Sequence, residues 1–163
     1  LCTVLNAQSL EIERTGKPII KSGQDTTDLT KPKGYIKALE WLATVFNDSK
    51  SVIQVQDKEE GFIMGKGNFQ TVLHPGGIVP NQPTTVYFTV KVWIYDSSYK
   101  YEFSNFNAEG YGSITDGEAK YVGKMWGKKM ADKMLQKMWP ELRDATKNKS
   151  DLLTLSLKSF FTQ

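Results

Sequence analysis

The sequence predicts an α+β domain in which helices pack on one face of an antiparallel β-sheet of about four or five strands. Three observations lead to this fold class. A helical pattern over residues 34–46 is followed by two alternating strand patterns that a polar turn connects. The strongest strand pattern, Thr84–Tyr95, has one continuous apolar face. From Glu118 onward the apolar residues again recur at helical spacing.

The first predicted helix begins at Gly34. Four apolar residues fall on one face at i, i+4, i+7 and i+11, namely Tyr35, Leu39, Leu42 and Phe46. Neighbouring residues widen this face or lie at its border: Ile36, Trp41, Ala43 and Val45. Pro32 just precedes the helix, where its missing N–H costs nothing. Asn47 and Asp48 favour turns and end the pattern.

A hairpin follows the helix, because the apolar period changes from 3.6 to 2. Ile53 and Val55 alternate with glutamines, and the polar turn 57–61 ends in a glycine. The returning strand, Phe62–Phe69, carries Gly65 and Gly67 on one face. Two glycines on one face predict a shallow spot where another element approaches closely or the strand bends. A helix and a hairpin that both have apolar faces predict a helix lying across an antiparallel sheet.

The stretch KALEWLATVFNDSKSVIQVQDKEEGFIMGKG resembles the start of the domain of unknown function 4468 family. The matching features are the helix with Trp41 and Phe46, the corner at residues 47–50 and the DKEEGFIMGKG hairpin, and the match covers about residues 33–70. This family occurs in exported proteins of Bacteroidetes-type bacteria. The resemblance implies a TBP-like (TATA-box-binding-protein-like) fold, a curved antiparallel sheet with helices on one face. It implies no activity and no catalytic residues.

Length and charge favour a single domain. The 163 residues are ample for one core and rather short for two. A net charge of +3 is too small an excess to argue for nucleic acid on its own. No apolar run is long enough to span a bilayer. We therefore expect one domain over residues 9–163 and no transmembrane segment.

The first residues, LCTVLNAQS, are typical of the end of a secretory signal peptide. They are apolar and uncharged, and a small-residue site follows at residues 6–8. The alternative is a buried first strand. Leu1 is not the small residue that a lipoprotein site needs before Cys2, so we expect no lipidation there. We expect residues 1–8 to be removed on export to the periplasm or cell surface, which leaves a mature protein without cysteine.

The two faces of the strand Thr84–Tyr95 have different compositions. Its apolar face should meet the helices, and consists of Val86, Phe88, Val90, Val92 and Ile94. The opposite face carries the predicted ligand-binding residues, Tyr87, Lys91, Trp93 and Tyr95, together with threonines. Interleaved aromatic and basic residues on an open sheet stack bases or sugars, or form a protein interface. The alternative is that these residues only favour strands and pair across them, or that another segment covers them.

The remaining strands and loops are read from alternation and turn residues. Apolar and polar residues alternate over Leu10–Arg14, which predicts an edge strand. Residues 15–33 are predicted to be irregular, with at most a short strand near Ile19. Residues 74–83 form a turn-rich loop. The turn at residues 96–98 leads into a partner strand, Tyr99–Asn107, with a bulge because Phe106 falls on the other parity.

The C-terminal third is predicted as three helical segments. The first, Glu118–Trp139, has an apolar stripe of Val122, Trp126, Met130, Met134 and Met138. We interpret the methionines as residues that fill gaps in the core, with an adaptable binding surface as the alternative. The lysines between them read as a solvated face, with an anion-binding face as the alternative. Pro140 is predicted to end this helix and start a second one, Asn148 and Lys149 to break that one, and Ser150 to cap the last.

No pattern of catalytic residues is recognisable. His74, the only histidine, reads as a loop residue rather than a base or metal ligand. Asp57, Glu59 and Glu60 share an exposed turn, where carboxylates need burial to act as acid and base. Gly65-Lys66-Gly67 lacks the rest of a phosphate loop. The sequence predicts no catalytic residues, no metal site and no cofactor.

The function therefore has to be inferred from a surface rather than from a motif. The first hypothesis is a non-catalytic exported binding or interaction module that contacts a small ligand or a protein through its aromatic sheet face. The second is a structural or oligomerising domain, a homodimer through that face. The third is a carboxylate-dependent enzyme with an acidic pair in a cleft. DNA binding does not follow from a TBP-like fold, because fold does not imply function.

Overall fold

The computed structural model describes residues 11–46, 52–124 and 127–162. Two helices and eight strands make up this part of the chain: β1 Ile12–Arg14, β2 Lys21–Thr26, α1 Lys31–Val45, β3 Val52–Asp57, β4 Phe62–Leu73, β5 Gln82–Tyr95, β6 Ser98–Ala108, β7 Gly112–Ser113, β8 Ala119–Tyr121 and α2 Lys128–Phe161. The main sheet runs in the order β2-β6-β5-β4-β3, and β7 pairs with β6. A separate ribbon pairs β1 with β8.

The predicted α+β class is confirmed, and the main sheet has six strands rather than four or five. All its pairings are antiparallel. The strands of the main sheet that the sequence prediction missed are β2 and the two-residue β7. Strand β2 has the sequence KSGQDT, which lacks the alternating apolar residues that would predict a strand. It forms because β6 supplies a long ladder, with Lys21 paired to Phe103 and Thr26 to Ser98.

The core lies between one sheet face and the two helices. The five predicted apolar residues of β5 are all buried. The Trp41 ring of α1 packs 6.3 Å from that of Phe103, and Tyr99 stacks on Phe161 at 4.0 Å between ring centroids. Both helices therefore cover the same face, as the sequence predicts.

Helix α1 differs in detail from its prediction. It begins at Lys31, so Pro32 lies in its first turn instead of preceding it. The Lys31 backbone N–H is bonded to the Asp96 carboxylate at 2.8 Å. Of the two alternatives for Trp41, the buried face is correct: the side chain is fully buried, and its indole N–H donates to Ser156 Oγ at 3.1 Å. Ile36 and Ala43, predicted to widen the buried face, are exposed because helix α2 and the sheet approach from the other side.

Gly67 confirms the prediction that a glycine on β4 admits a neighbouring element. The aromatic ring of Phe46, at the end of α1, occupies the place that a Cβ at Gly67 would take. The Phe88 ring lies 2.8 Å from the same position. The corner at residues 47–50, which follows Phe46, lies outside the described residues, as do residues 1–10 and Trp126.

Helix α2 is one helix of 34 residues where three segments were predicted. Residues 119–121 form strand β8 instead of a first helical turn, and neither Pro140 nor residues 148–149 end the helix. Its buried stripe continues on both sides of Pro140, through Met138, Leu142, Thr146, Ser150, Leu153, Leu157 and Phe161. Thr146 and Ser150 can lie in this stripe because their hydroxyls donate to the carbonyls of Leu142 and Lys147. Burial along the stripe outweighs the one backbone bond that Pro140 removes.

The methionines of α2 follow the prediction only in part. Met138 is in the core, Met134 is partly buried and Met130 is exposed. The lysines at positions 128, 129, 133 and 137 are exposed, as predicted for a solvated face. The N-terminal part of α2 therefore lies at the surface, and its C-terminal part anchors the sheet.

Candidate functional site

The sheet face opposite the helices, called here the outer face, is the surface on which the predicted site residues lie. Alternation along β5 directs Tyr87, Lys91, Trp93 and Tyr95 to this face. Tyr87 is 48% exposed and Tyr95 40% exposed. Trp93 is partly buried. Both helices pack on the opposite face, so neither covers this one.

Trp93 and Tyr95 belong to an aromatic patch that four residues form: Phe62, Trp93, Tyr95 and Lys100. Phe62 of β4 lies opposite Trp93, with ring centroids 5.4 Å apart at an interplanar angle of 35°. Lys100 of β6 is the register partner of Trp93, and its ammonium lies 5.6 Å from the centroid of the Tyr95 ring. A cation over a tyrosine ring is attracted by the negative face of the ring. The patch thus combines aromatic surface with one held positive charge.

Tyr87 is not part of this patch. It lies six residues before Trp93 on the same strand, a separation of roughly 20 Å along an extended chain. Its register partners are Asn68 on β4 and Asn107 on β6, so its surroundings are amide-rich rather than aromatic. The predicted aromatic residues therefore lie in two separate parts of the outer face, with Tyr87 toward one end of β5 and Trp93 and Tyr95 at the other.

Lys91 lies between these ends and is engaged with a neighbour. Its Nζ donates to Glu102 Oε1 at 2.9 Å, and Ser104 Oγ donates to the same oxygen at 2.8 Å. The bonds from Lys91 and Ser104 lower the pKa of Glu102, so this carboxylate is charged at neutral pH. Because its charge is paired, Lys91 is a less effective anion-binding group than the sequence prediction implied.

A shallow depression of about 370 Å³ lies beside Trp93, where β2, β6 and β5 run side by side. Its lining includes Ser22 and Gln24 of β2, Lys100 and Glu102 of β6, and Trp93. This depression is the concave part of the outer face that adjoins the predicted residues.

Sequence reasoning missed Phe62, Lys100, Glu102, Ser22 and Gln24. The first three would have followed from the registers of two hairpins, β4–β5 and β5–β6, had the strand ends been known. Ser22 and Gln24 gave no signal, because the strand that carries them was not predicted.

A second, larger cleft of about 630 Å³ lies between the β1–β8 ribbon and the middle of α2. Trp139, Pro140 and Arg143 form its helical side, and Glu13 and Glu118 lie on the opposite side. The Trp139 indole N–H donates to the Gly117 carbonyl at 3.1 Å, and this bond ties the ribbon loop to the helix. Both carboxylates are exposed, so this cleft brings an acidic pair to a surface rather than into a buried site.

The other candidate groups of the sequence have structural partners. The backbone N–H of His74 donates to the Glu141 carboxylate at 2.9 Å, and its Nδ1 lies 3.2 Å from the same oxygen. Asp57 Oδ1 accepts the backbone N–H groups of Glu59 and Glu60 and so closes the β3–β4 turn. Within residues 11–46, 52–124 and 127–162, no three His, Cys, Asp or Glu side chains group together as metal ligands would. Neither described helix is long and apolar enough to cross a membrane.

Comparison with known proteins identifies a family that the chain matches and two solved structures with a similar fold. The model of a family described as a domain of unknown function (DUF4468) with TBP-like fold matches residues 25–109, just over half of the chain. The fold is similar to the crystal structure of a DUF4468 family protein from Bacteroides ovatus, with a TM-score of 0.65 and 14% identity over 99% of this chain and 97% of that one. It is also similar to a TBP-like protein from Parabacteroides distasonis, with a TM-score of 0.51 and 11% identity over 86% of this chain and 93% of that one. The search of curated proteins gave no match.

Proposed function

The chain belongs to the DUF4468 family with a TBP-like fold, and we propose that it is a non-catalytic binding module that holds a small ligand on its outer face. The observation that carries the proposal is the aromatic patch, where Trp93 and Tyr95 lie on a sheet face that neither helix covers. Tyr and Trp supply large contact area at little cost in conformational entropy, which is why they are enriched in binding surfaces.

The remaining candidate groups support binding rather than catalysis. His74 is bonded to Glu141 across a loop and a helix, and Asp57 caps its own turn. The charged carboxylate on the outer face, Glu102, has its pKa lowered, which suits a hydrogen-bond acceptor better than a general acid. We include export to the periplasm or cell surface in this proposal, supported by the sequence of residues 1–8. N-terminal sequencing of the protein secreted by its source would test that part.

A fragment screen tests the binding proposal without a known ligand. ¹⁵N-labelled protein is titrated with a library of small neutral aromatic and polar fragments, and amide shifts are mapped. Ligand sites bind fragments preferentially, because they are concave and partly desolvated. We expect the hits to cluster on residues 22–24, 91–95 and 100–102. Hits confined to the Trp139 cleft would place the ligand site elsewhere and contradict the proposal.

The alternative is that two copies of the chain bury this face against each other. Ligand binding and dimerisation through this face both need exposed aromatic residues, so the oligomeric state distinguishes the two hypotheses. A monomer by sedimentation at micromolar concentration leaves the face free for a ligand. A dimer that Trp93→Lys dissociates, while Leu152→Lys on the exposed side of α2 leaves it intact, would identify the face as a homodimer interface instead.

A further inference from the structure

We propose, building on the proposed function, that the depression beside Trp93 binds a neutral saccharide. The argument rests on the lining of the depression and on which of its polar atoms are already bonded. Ser22, Gln24 and Glu102 line the depression together with the Trp93 indole and supply a hydroxyl, an amide and a carboxylate. A volume of about 370 Å³ lies at the lower end of the range for small-molecule sites.

Glu102 is positioned to accept hydrogen bonds from a ligand. Lys91 and Ser104 both donate to Oε1, at 2.9 and 2.8 Å, and among the described residues no hydrogen bond reaches Oε2. These two bonds fix the carboxylate on the sheet, because they hold it from two neighbouring strands. A fixed, charged acceptor with one free oxygen is suited to a hydroxyl donor.

The other polar atoms of the depression are also available. Among the described residues, the side chains of Ser22 and Gln24 and the indole N–H of Trp93 make no hydrogen bond to another group. Lys100 is held over Tyr95 at the rim, and a lysine ammonium carries three N–H donors. The depression thus offers donors and acceptors of both kinds around one aromatic surface.

This combination discriminates among ligand classes. A phosphate or nucleotide would meet the Glu102 carboxylate, and Lys91 is already neutralised by it. A purely apolar ligand would bury the polar groups without partners, which is costly. A pyranose ring has C–H groups on one face for the negative face of an indole and hydroxyl groups around its edge. A neutral sugar can therefore pack its C–H groups on the indole and hydrogen-bond with the polar groups of the depression through its hydroxyls.

The next outward-facing residue along β5 extends the site. Tyr95 follows Trp93 two residues later, roughly 7 Å along the strand. A second sugar unit can contact Tyr95 while the first one lies against Trp93. We therefore expect an oligosaccharide to bind more tightly than the corresponding monosaccharide.

The test is a titration of ¹⁵N-labelled protein with maltohexaose, cellohexaose, xylohexaose and mannohexaose, each up to 10 mM, and with their monosaccharides. At least one hexasaccharide should shift the Trp93 indole N–H and the amides of residues 22–24 and 100–102. We expect a Kd on the order of 1 mM or below. Trp93→Ala and Glu102→Gln should each weaken binding by about tenfold or more, and Trp93→Phe by less than Trp93→Ala.

The control variant is Leu152→Ala on the far side of the molecule, which should bind as the unmodified protein does, and the spectrum of each variant reports whether it folds. No shift with any hexasaccharide, while fragments still map to the outer face, would overturn the saccharide and leave the binding module standing. Saccharide shifts confined to the Trp139 cleft would also overturn it. Failure of both the fragments and the saccharides on the outer face would overturn both proposals.

Discussion

Phe62 and Trp93 lie directly opposite each other across the β4–β5 ladder, with ring centroids 5.4 Å apart on the sheet face away from the helices. Aromatic residues that face each other on adjacent strands stabilise a sheet through their side chains. Here the pair also fixes the indole that borders the depression. Phe62 therefore has a structural role and a positioning role at once.

Replacing Phe62 with Ala should lower the free energy of unfolding by about 1 kcal/mol, because the aromatic contact with Trp93 is lost. Urea unfolding followed by circular dichroism measures the change. Phe62→Leu keeps apolar contact without the ring and should lose less. An unchanged urea midpoint in Phe62→Ala would show that the two rings do not support each other.

The ion pair of Lys91 and Glu102 should give the protein an acid-sensitive component of stability. The pKa of Glu102 lies below its ordinary value of 4.5 in the folded protein, so this stability is present above about pH 4.5. It is lost as the pH falls through the lowered folded pKa. Because both side chains are partly exposed, at 29% and 27%, we expect about 0.5–1 kcal/mol at pH 7.

Unfolding of Glu102→Gln between pH 3 and pH 7 measures this component. The variant should be less stable than the unmodified protein at pH 7 and approach it as the pH falls. Asp25 also has a lowered pKa, because it pairs with Lys158, but it is present in both proteins and cancels in the comparison. A difference that does not change with pH would contradict the assignment to Glu102.

Replacing Gly67 with Ala should destabilise the protein by roughly 1–3 kcal/mol, because the new methyl group would overlap the Phe46 ring and crowd Phe88. Thermal unfolding measures the loss. Phe46→Leu should reduce the cost of the Gly67→Ala change, because the smaller side chain leaves room for the methyl group. Additive effects in the double variant would show that the two residues do not compete for the same space.

Replacing Pro140 with Ala should raise the free energy of unfolding by roughly 1–2 kcal/mol. Alanine restores the N–H that the Gln136 carbonyl lacks within the helix, although it also adds freedom to the unfolded chain. Pro140→Gly supplies the same N–H with a poor helix former and should gain about 1 kcal/mol less. Equal stabilities of the Pro and Ala proteins in urea would indicate that the Gln136 carbonyl already has an adequate partner.

The centre of the fold was predictable from the sequence because its patterns are local. The apolar face of β5 and the turn at Gly61 follow from alternation and turn chemistry. Helix α1 was predicted as an element, but the pattern left open whether Trp41 extends its apolar face or lies at the border, because the direction from which α2 approaches is a tertiary property. The prediction that Tyr87, Lys91, Trp93 and Tyr95 share one face of the sheet was correct. Their role as ligand-binding residues stays a prediction.

The ends of the fold were not predictable, because distant partners determine them. Strand β2 has no apolar alternation and depends on its ladder with β6. Residues 119–121 have a sequence that also suits a helix, and they form a strand because β1 pairs with them. In α2 the breaking tendencies of Pro140 and Asn148 are local and weak compared with the burial of a stripe that continues from Leu135 to Phe161. Lys91 was correctly placed, but its partner Glu102 required the register of two strands.

The ribbon of β1 and β8 has a consequence for how the protein is made. Ile12 pairs with Tyr121, and β8 packs against α2, the last of the described elements. Strands β3 to β6 each pair with their neighbour in sequence, so these hairpins can close while synthesis continues. Strand β1 precedes the other described strands in the chain, yet its partner β8 follows all of them. The topology therefore favours assembly from the middle of the chain outward, with the two ends of the domain joining last.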